Sequence, residues 1–327
     1  MSAVRDEIVR ILREEDGFLI ASHTNPDGDA IGSMAAMGWL LASLGKRFAL
    51  YNRSGLPASF DWLELPAPIH TDLPAGDYPW IISLDCGDLS RVGPDMAAVW
   101  PLRSSINIDH HLGNPEFATV NWVRKSYSST GEMVAKLARD LDVPLSGALG
   151  EAVYLSIVTD TGWFSYDSTT THTLALASRI MELGLRPGPI NAKIQNQWTP
   201  ARICLMRDVL GKAVLLNKGR IGLINITKEV MQACEADIAD TDGLINMLRR
   251  VRGVLIAIAL REEPDGSIKF SLRSHGEVNV QQVAARFGGG GHKNASGGSV
   301  ALPIEEAAAN IVAACAAILP DGGETSG

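Results

Sequence analysis

Phe18-Leu19-Ile20-Ala21-Ser22-His23-Thr24-Asn25-Pro26-Asp27-Gly28-Asp29-Ala30-Ile31-Gly32-Ser33 runs from an apolar segment through a turn into a helical pattern that continues to Leu44. Phe18–Ser22 reads as a buried strand and Asn25–Asp29 as the turn that follows it. Phe48–Tyr51, Trp80–Leu84 and Ser105–Ile108 are further short apolar runs of the same kind. Helical patterns fall at about Ser129–Leu141, Gly147–Thr159 and Thr171–Leu183. Strands that alternate with helices predict an α/β fold, with a mostly parallel sheet and helices on both faces.

The alternation breaks near Gly184–Pro200, where Pro187, Gly188, Pro189 and Pro200 cluster. Beyond it, Arg220–Ile226, Val254–Leu260 and Ile268–Leu272 read as strands, the last two joined around Pro264-Asp265-Gly266. A helix at about Val280–Phe287, a glycine-rich loop and a helix over Ile304–Leu319 complete a smaller α/β domain. The expected division is a first domain over 1–186, a linker over 187–205 and a second domain over 206–320. Asp321–Gly327 reads as a frayed tail.

With 46% apolar and 20% charged residues in 327, the composition is that of an ordinary globular protein. Met1–Asp16 reads as an amphipathic helix without the apolar centre of a signal peptide. The longest uncharged run, Ala30–Gly45, is too short to span a bilayer. Cys86, Cys204, Cys234 and Cys315 form no CxxC pair, which argues against a disulfide framework and fits a reducing cytoplasm. Net charge is −8, and the acidic excess lies before Ile190. An acidic body grips long nucleic acid poorly, because phosphate neutralisation supplies most of that affinity. Neither a long duplex nor a membrane is an expected partner.

The acids and histidines are where chemistry is expected. His23, Asp27 and Asp29 lie just beyond the first strand, Asp85 ends another, Asp109-His110-His111 ends a third, and Asp160 closes a helix. Taken singly, Asp29 reads as a helix cap, Asp27 as a turn former and a histidine as a core residue. Taken together, they can converge at one rim, because open parallel sheets bind ligands beyond the carboxyl ends of their strands. Carboxylates so gathered repel unless cations or protons offset them. Histidines among them suit Mn²⁺, Fe²⁺, Co²⁺ or Zn²⁺. A carboxylate shared by two ions, such as Asp85, makes two metals the better reading.

Other motifs fail. Asn25-x-Asp27-x-Asp29 lacks the Gly and Glu of an EF-hand loop, with Ala30 and Ala36 in their places. There is no GxGxxG turn after the first strand, no Walker A sequence and no GxSxG elbow.

The four segments His23–Ser33, Leu84-Asp85-Cys86-Gly87, Ile108-Asp109-His110-His111 and Thr159-Asp160-Thr161-Gly162 resemble the ordered motifs of the DHH phosphoesterase superfamily. Phe287-Gly288-Gly289-Gly290-Gly291-His292-Lys293-Asn294-Ala295-Ser296-Gly297-Gly298 resembles the associated DHHA1 domain. The pair is most similar to the nanoRNase/pAp-phosphatase group (NrnA type). The resemblance implies His23, Asp27 and Asp85 at one metal, and Asp29, Asp85, His110 and Asp160 at the second. His111 would face the substrate phosphate, and Asp109 would orient a histidine through its ring N–H. Asp85, Asp109, His110 and His111 are thus the catalytic candidates.

The glycine-rich loop reads either as a connector or as a backbone nest for an anion, formed by Gly288, Gly289, Gly290 and Gly291 with His292 and Lys293 beside it. Arg273 is a natural bidentate phosphate clamp, although it could equally be a surface charge. In the resembling family, the strand arginine and this loop hold the nucleotide end of the substrate. Ser128, Ser129 and Thr130 read as caps, with Ser129 also a candidate substrate contact.

The implied enzyme is a hydrolase of phosphoester bonds with its active site in the cleft between the two domains. It would act through hydroxide activated by two divalent metals, Mn²⁺ first, with Mg²⁺, Co²⁺ or Fe²⁺ as alternatives. Expected substrates are short single-stranded RNA, cut as by an exoribonuclease to mononucleotides, and 3′-phosphoadenosine 5′-phosphate (pAp), cut to AMP. A cyclic- or linear-dinucleotide phosphodiesterase uses the same metal site. A pyrophosphatase shares the first domain, and a non-catalytic nucleotide sensor would bind without turnover. A cytoplasmic location is expected, and a homodimer is left open.

Overall fold

A computed structural model describes residues 3–320; the tail over 321–327 lies outside the described residues. The chain divides into two units, Met1–Gln197 and Trp198–Gly327. The first unit contains α1 (Ala3–Glu14), β1 (Phe18–Ser22), α2 (Gly28–Ser43), β2 (Phe48–Tyr51), β3 (Ile69–His70), β4 (Trp80–Leu84) and α3 (Pro94–Val99). It continues with β5 (Ser104–Asp109), β6 (Val120–Val123), α4 (Thr130–Asp140), α5 (Gly147–Asp160), α6 (Thr171–Glu182) and α7 (Pro187–Gln195).

Its six strands lie in the order β3-β2-β1-β4-β5-β6, and every neighbouring pair is parallel. The chain therefore builds outward from β1 in both directions, leaving a topological switch between β1 and β4. Period-two alternation explains why β1 is apolar throughout. Phe18 and Ile20 enter the core under α1, α2, α4 and α5, while Leu19 and Ala21 enter the opposite core with Met96 of α3. Burying each of the larger side chains contributes about 1.5–3 kcal/mol.

Helix α2 is buried along most of its length, and its small residues permit this. A Cβ at Gly32 would lie 2.6 Å from the Ala152 carbonyl of α5. Close approach of α2 and α5 thus depends on that glycine, and it brings Asp29 of α2 beside Ser156 of α5.

The second unit contains α8 (Pro200–Leu210), β7 (Val214–Leu216), β8 (Ile221–Ile226), α9 (Lys228–Ala233), α10 (Leu244–Arg249), β9 (Ile256–Glu262) and β10 (Ile268–Ser274). It ends with α11 (Gln281–Arg286), β11 (Gly290–His292), β12 (Ala295–Val300) and α12 (Ile304–Ala316). The sheet order is β11-β12-β10-β9-β8-β7. Only β8 and β9 run parallel among its neighbours. One face packs on α11 and α12 and the other on α8 and α10.

Two expectations change here, and the segment between the domains gains detail. The expected linker over 187–205 carries α7 and the start of α8, with Pro187 and Pro200 in their first turns. A proline is welcome there, because its missing N–H has no helical partner at that position. Cys204 and Cys234 are joined as a disulfide with Cα atoms 5.5 Å apart, because α8 packs beside the end of α9. Cys86 and Cys315 are free and buried.

The glycine-rich segment is also not a free loop. Gly290, Gly291 and His292 pair with Gly297, Ser296 and Ala295 as an edge strand. A Cβ at Gly289 would collide with the Gly297 carbonyl, and one at Gly291 would lie 2.5 Å from that of Ala295. Glycine is what lets this backbone close onto β12. β11 is the edge of its sheet, so the backbone polar groups on its outer side take no part in the sheet's ladder.

Candidate metal centre

His23 follows β1, Asp27 caps α2 and Asp29 lies in its first turn. Asp85 follows β4, and Asp109-His110-His111 leave β5. These are strand ends on either side of the switch, where an open parallel sheet forms its crevice. Asp160, the last residue of α5, reaches the same place.

Asp29 is 1% exposed. It accepts from the Thr130 N–H at 2.8 Å, the Gly131 N–H at 3.1 Å, the Ser33 hydroxyl at 2.9 Å and the Ser156 hydroxyl. Two of these donors are backbone groups at the start of α4, which favours negative charge. Burial, followed by the charge of Asp85, nevertheless pushes its carboxyl up to about 7. Asp160 is pushed up to about 7 by burial and by Asp29. Burial likewise raises Asp85.

Asp85 has a φ of 54°, in the left-handed region that side chains other than Asn, Asp and Gly rarely enter. Its N–H donates to the Ile108 carbonyl at 3.1 Å, and its Oδ1 accepts from the Thr130 hydroxyl at 3.3 Å. His110 Nε2 lies 3.5 Å from Asp29, 3.5 Å from Asp85 and 3.4 Å from Asp160. Burial opposes its charge, but Asp85, Asp29 and Asp160 together raise it to about 10. His110 Nδ1 lies 3.3 Å from the Tyr127 carbonyl, which can only accept, so that nitrogen carries the proton and Nε2 faces the carboxylates. His23 is arranged alike: Nδ1 donates to the Thr24 carbonyl at 2.8 Å, and Nε2 is 3.7 Å from Asp85. Burial lowers its pKa and favours the neutral imidazole.

Ligand atoms of His23, Asp27 and Asp85 lie within 4.8 Å of one another, as do those of Asp29, His110 and Asp160 and those of Asp85, His110 and His111. Asp85 thus belongs to two of these groups, and His110 stands against Asp29, Asp85 and Asp160 alike. The donor set suits divalent metal coordination. It combines imidazole nitrogens turned toward carboxylates with acids whose repulsion holds protons on them.

His111 is the most open of the histidines around Asp85. Its Nδ1 donates to Asp109 at 2.8 Å, and its side chain is 34% exposed. Asp109 is fully buried and also accepts from Asn114 at 2.6 Å. Burial raises Asp109, but the hydrogen bond and charge of His111 outweigh it and leave its pKa lowered. The same hydrogen bond raises His111.

Ser129 is placed differently from the expected substrate contact. It is fully buried, and its oxygen caps the Glu132 N–H at 3.2 Å and lies 3.0 Å from the Ser156 hydroxyl oxygen. It supports the first turn of α4 beneath Asp29. Thr130, Ser33, Ser156, Tyr127 and Asn114 complete the scaffold. Only Ser33, one helical turn after Asp29, carries a spacing that could have disclosed it. In the second unit, Arg273 is half-buried on β10, and Gly289, Gly290 and Gly291 lead into and form β11. The side chain of His292 lies outside the described ones.

Residues 17–157 match the DHH family, N-terminal domain, and residues 228–319 match the DHHA1 domain. The chain is 31% identical over 306 residues to the bifunctional oligoribonuclease and PAP phosphatase NrnA of Thermus thermophilus, covering 92% of this chain and 90% of that one. It is 23% identical to the protein of the same name from Bacillus subtilis, covering 91% and 93%. An exopolyphosphatase-related protein from Bacteroides fragilis superposes with a TM-score of 0.86 at 28% identity, covering 96% of each chain. Among the described residues, no helix is long and apolar enough to cross a membrane. With its carboxylate–histidine cluster at the β1/β4 switch and both domains matched, the chain belongs to the NrnA-type DHH/DHHA1 family of metal-dependent phosphoesterases acting on nucleotide-related substrates.

Proposed function

We propose that this protein hydrolyses short oligoribonucleotides to mononucleotides and pAp to AMP, using two divalent ions, with Mn²⁺ as the first choice. The observation that carries this reading is the position of Asp85, which faces His23 on one side and His110 on the other. His23, Asp27 and Asp85 would hold one ion, and Asp29, Asp85, His110 and Asp160 the other. Bound there, the ions would lower the pKa of water and polarise a phosphoryl oxygen.

The chain's own residues fix the rest. Thr130, Gly131, Ser33 and Ser156 hold Asp29, while Tyr127 turns His110 so that Nε2 faces the acids. Asp109 orients His111 and favours its charged form, so its exposed edge can donate to a phosphate oxygen where negative charge develops. In the second unit, Arg273 and the free side of β11 offer donors to the nucleotide end. The acidic first unit favours a ligand of a few nucleotides over a long duplex.

The test is incubation of the purified chain with Mn²⁺ and a labelled five-nucleotide RNA, beside pAp, a cyclic dinucleotide and an Asp85→Ala control. Mononucleotides and AMP from the wild type alone support the proposal. Turnover of the cyclic dinucleotide alone would replace it with a signalling phosphodiesterase.

A further inference from the structure

Cys204 and Asp208 stand four residues apart on α8, so both project from one face of the helix. Cys234 follows α9. The next residue, Glu235, takes a φ of 51°, and the Ala236 N–H then donates to the Met231 carbonyl at 2.9 Å. This tight helix end fixes where Cys234 stands. The Cα atoms of Cys204 and Cys234 are 5.5 Å apart, and Asp208 Oδ2 lies 3.9 Å from Cys234 Sγ. Ligand atoms of Cys204, Asp208 and Cys234 all lie within 4.8 Å of one another, the one such group among the described residues of the second unit.

Cys234 is buried in the apolar cluster that contains Leu205 and Val209 of α8, whereas Cys204 is half-buried. Arg207 Nη2 lies 3.5 Å from Cys204 Sγ, and the same guanidinium pairs with Asp208 at 2.7 Å. A guanidinium so placed favours the thiolate of Cys204 once the disulfide opens. Its own pair with Asp208 lies at the surface, with the Arg207 side chain 72% exposed. Such a pair holds a carboxylate only weakly, so an ion can draw Asp208 away from it. A cavity of about 240 Å³ borders Asp208, with Asn225 and Thr227 in its wall, and it has room for water.

We propose that, once the disulfide is reduced, Cys204, Cys234 and Asp208 bind a thiophilic divalent ion, zinc first, which clamps α8 to the end of α9. Reduction delivers two electrons and two protons to the Cys204–Cys234 bond from a dithiol, which itself becomes a disulfide. Binding then releases the two thiol protons and sets two thiolates and a carboxylate around the ion. Thiolates select zinc over the Mn²⁺ and Mg²⁺ that suit carboxylates. Zinc–sulfur bonds of about 2.3 Å place the two sulfurs roughly 3.8 Å apart, a separation that side-chain rotation supplies with the backbone where it is. Water from the neighbouring cavity completes the fourfold coordination. Reoxidation expels the ion and restores the disulfide, so the same residues tie α8 to α9 in either redox state.

The experiment uses Co²⁺, whose bonds to thiolate give a near-ultraviolet charge-transfer band that carboxylate and imidazole ligands do not give. Cobalt held by the acids and histidines of the first unit is therefore silent in this band, whatever reaction that centre performs. The full chain is reduced with a phosphine, freed of it without air and titrated with Co²⁺, for wild type, Cys204→Ser, Cys234→Ser and Asp208→Asn. Reduced wild type should develop the band, Zn²⁺ should abolish it, and the oxidised chain should show none. Either serine variant should lose it. Asp208→Asn keeps both thiols and should bind Co²⁺ at least about 10-fold more weakly, since losing a ligand costs no less than losing a ligand's partner. Asp208 is partly exposed, so this variant tests the site even where a serine variant fails to fold, and circular dichroism checks each. Three results overturn the proposal: no band in reduced wild type, a band that survives in Cys204→Ser and so belongs to Cys86 or Cys315, or unchanged affinity in Asp208→Asn.

Discussion

Asp29 in the first unit and Arg273 in the second are both charged groups in regular secondary structure, and their surroundings are opposite. Asp29 is 1% exposed and takes hydrogen bonds from two backbone N–H groups and two hydroxyls. Arg273 is half-buried and directs a donor to one carbonyl. The first unit saturates its charged groups and forces them together, so its geometry is set before any ion arrives. In the second, half-buried Arg273 is given one carbonyl, which leaves donors of its guanidinium open to an anion. A metal centre tolerates little displacement and benefits from such a scaffold, whereas an anion pocket gains affinity from donors still free to be satisfied.

The contrast breaks most severely at Asp85. Asn tolerates the left-handed backbone at φ 54°, so Asp85→Asn removes charge while keeping the turn. Expected is a loss of kcat on the order of 10³ or more under Mn²⁺, with circular dichroism unchanged. Activity within tenfold of wild type at saturating Mn²⁺ would show that Asp85 is not shared between ions.

Asp109→Asn should cost less, about 10- to 100-fold in kcat/KM, because it acts through His111. The His111 pKa is raised by Asp109. Without that carboxylate the imidazole loses its proton at lower pH, and the alkaline limb of the pH–rate profile should move down. An unmoved limb would separate Asp109 from the histidine's charge.

Much of the first unit was legible because each signal was local and repeated. Phe18–Ser22 is apolar throughout and His23, Asp27 and Asp29 follow at once, so strand, turn and acids are read in one window. Other parts were hidden for physical reasons. β3 comprises two residues and α9 and α10 six each, too short to express a period. Cys204 and Cys234 are 30 residues apart in sequence, and only the packing of α8 and α9 joins them. Thr130 and Ser156 hold Asp29 from distant helices, so ordinary cap and helix residues conceal their role. The segment over 288–292 looked like a loop because glycine carries no β pattern, yet its partner strand required glycine.

Stability of the metal-free chain should report the crowding in the first unit. Asp29 and Asp160 move from an ordinary value of 3.8 to about 7 on folding, and His110 from 6.5 to about 10. Raised carboxyls stabilise the fold below their unfolded pKa and lose that contribution as pH rises through the folded one; the raised histidine behaves in the same direction. Between pH 5 and 8, the melting temperature without metal should therefore fall by about 5 °C or more. Mn²⁺ should remove most of that slope, since ions replace the protons. A metal-free profile that is flat or rises with pH would mean the carboxylates spread apart when no ion binds.

The smallest effect sharpens the same comparison at the glycines of the second unit. Gly289 packs against the Gly297 carbonyl, where an added methyl collides with backbone. A methyl added at Gly290 would meet no atom within 4 Å, and the φ there is not positive. Gly289→Ala should destabilise the β11–β12 hairpin by about 1–3 kcal/mol, and Gly290→Ala should change stability by less than about 0.5 kcal/mol. Gly290 lies on the sheet's outer strand, so on the proposed reading, in which β11 meets the nucleotide, its methyl would stand in the ligand's way. Its signature should be a raised KM for nucleotide substrates at unchanged melting temperature. Unaltered KM in Gly290→Ala would mean that the nucleotide does not touch β11.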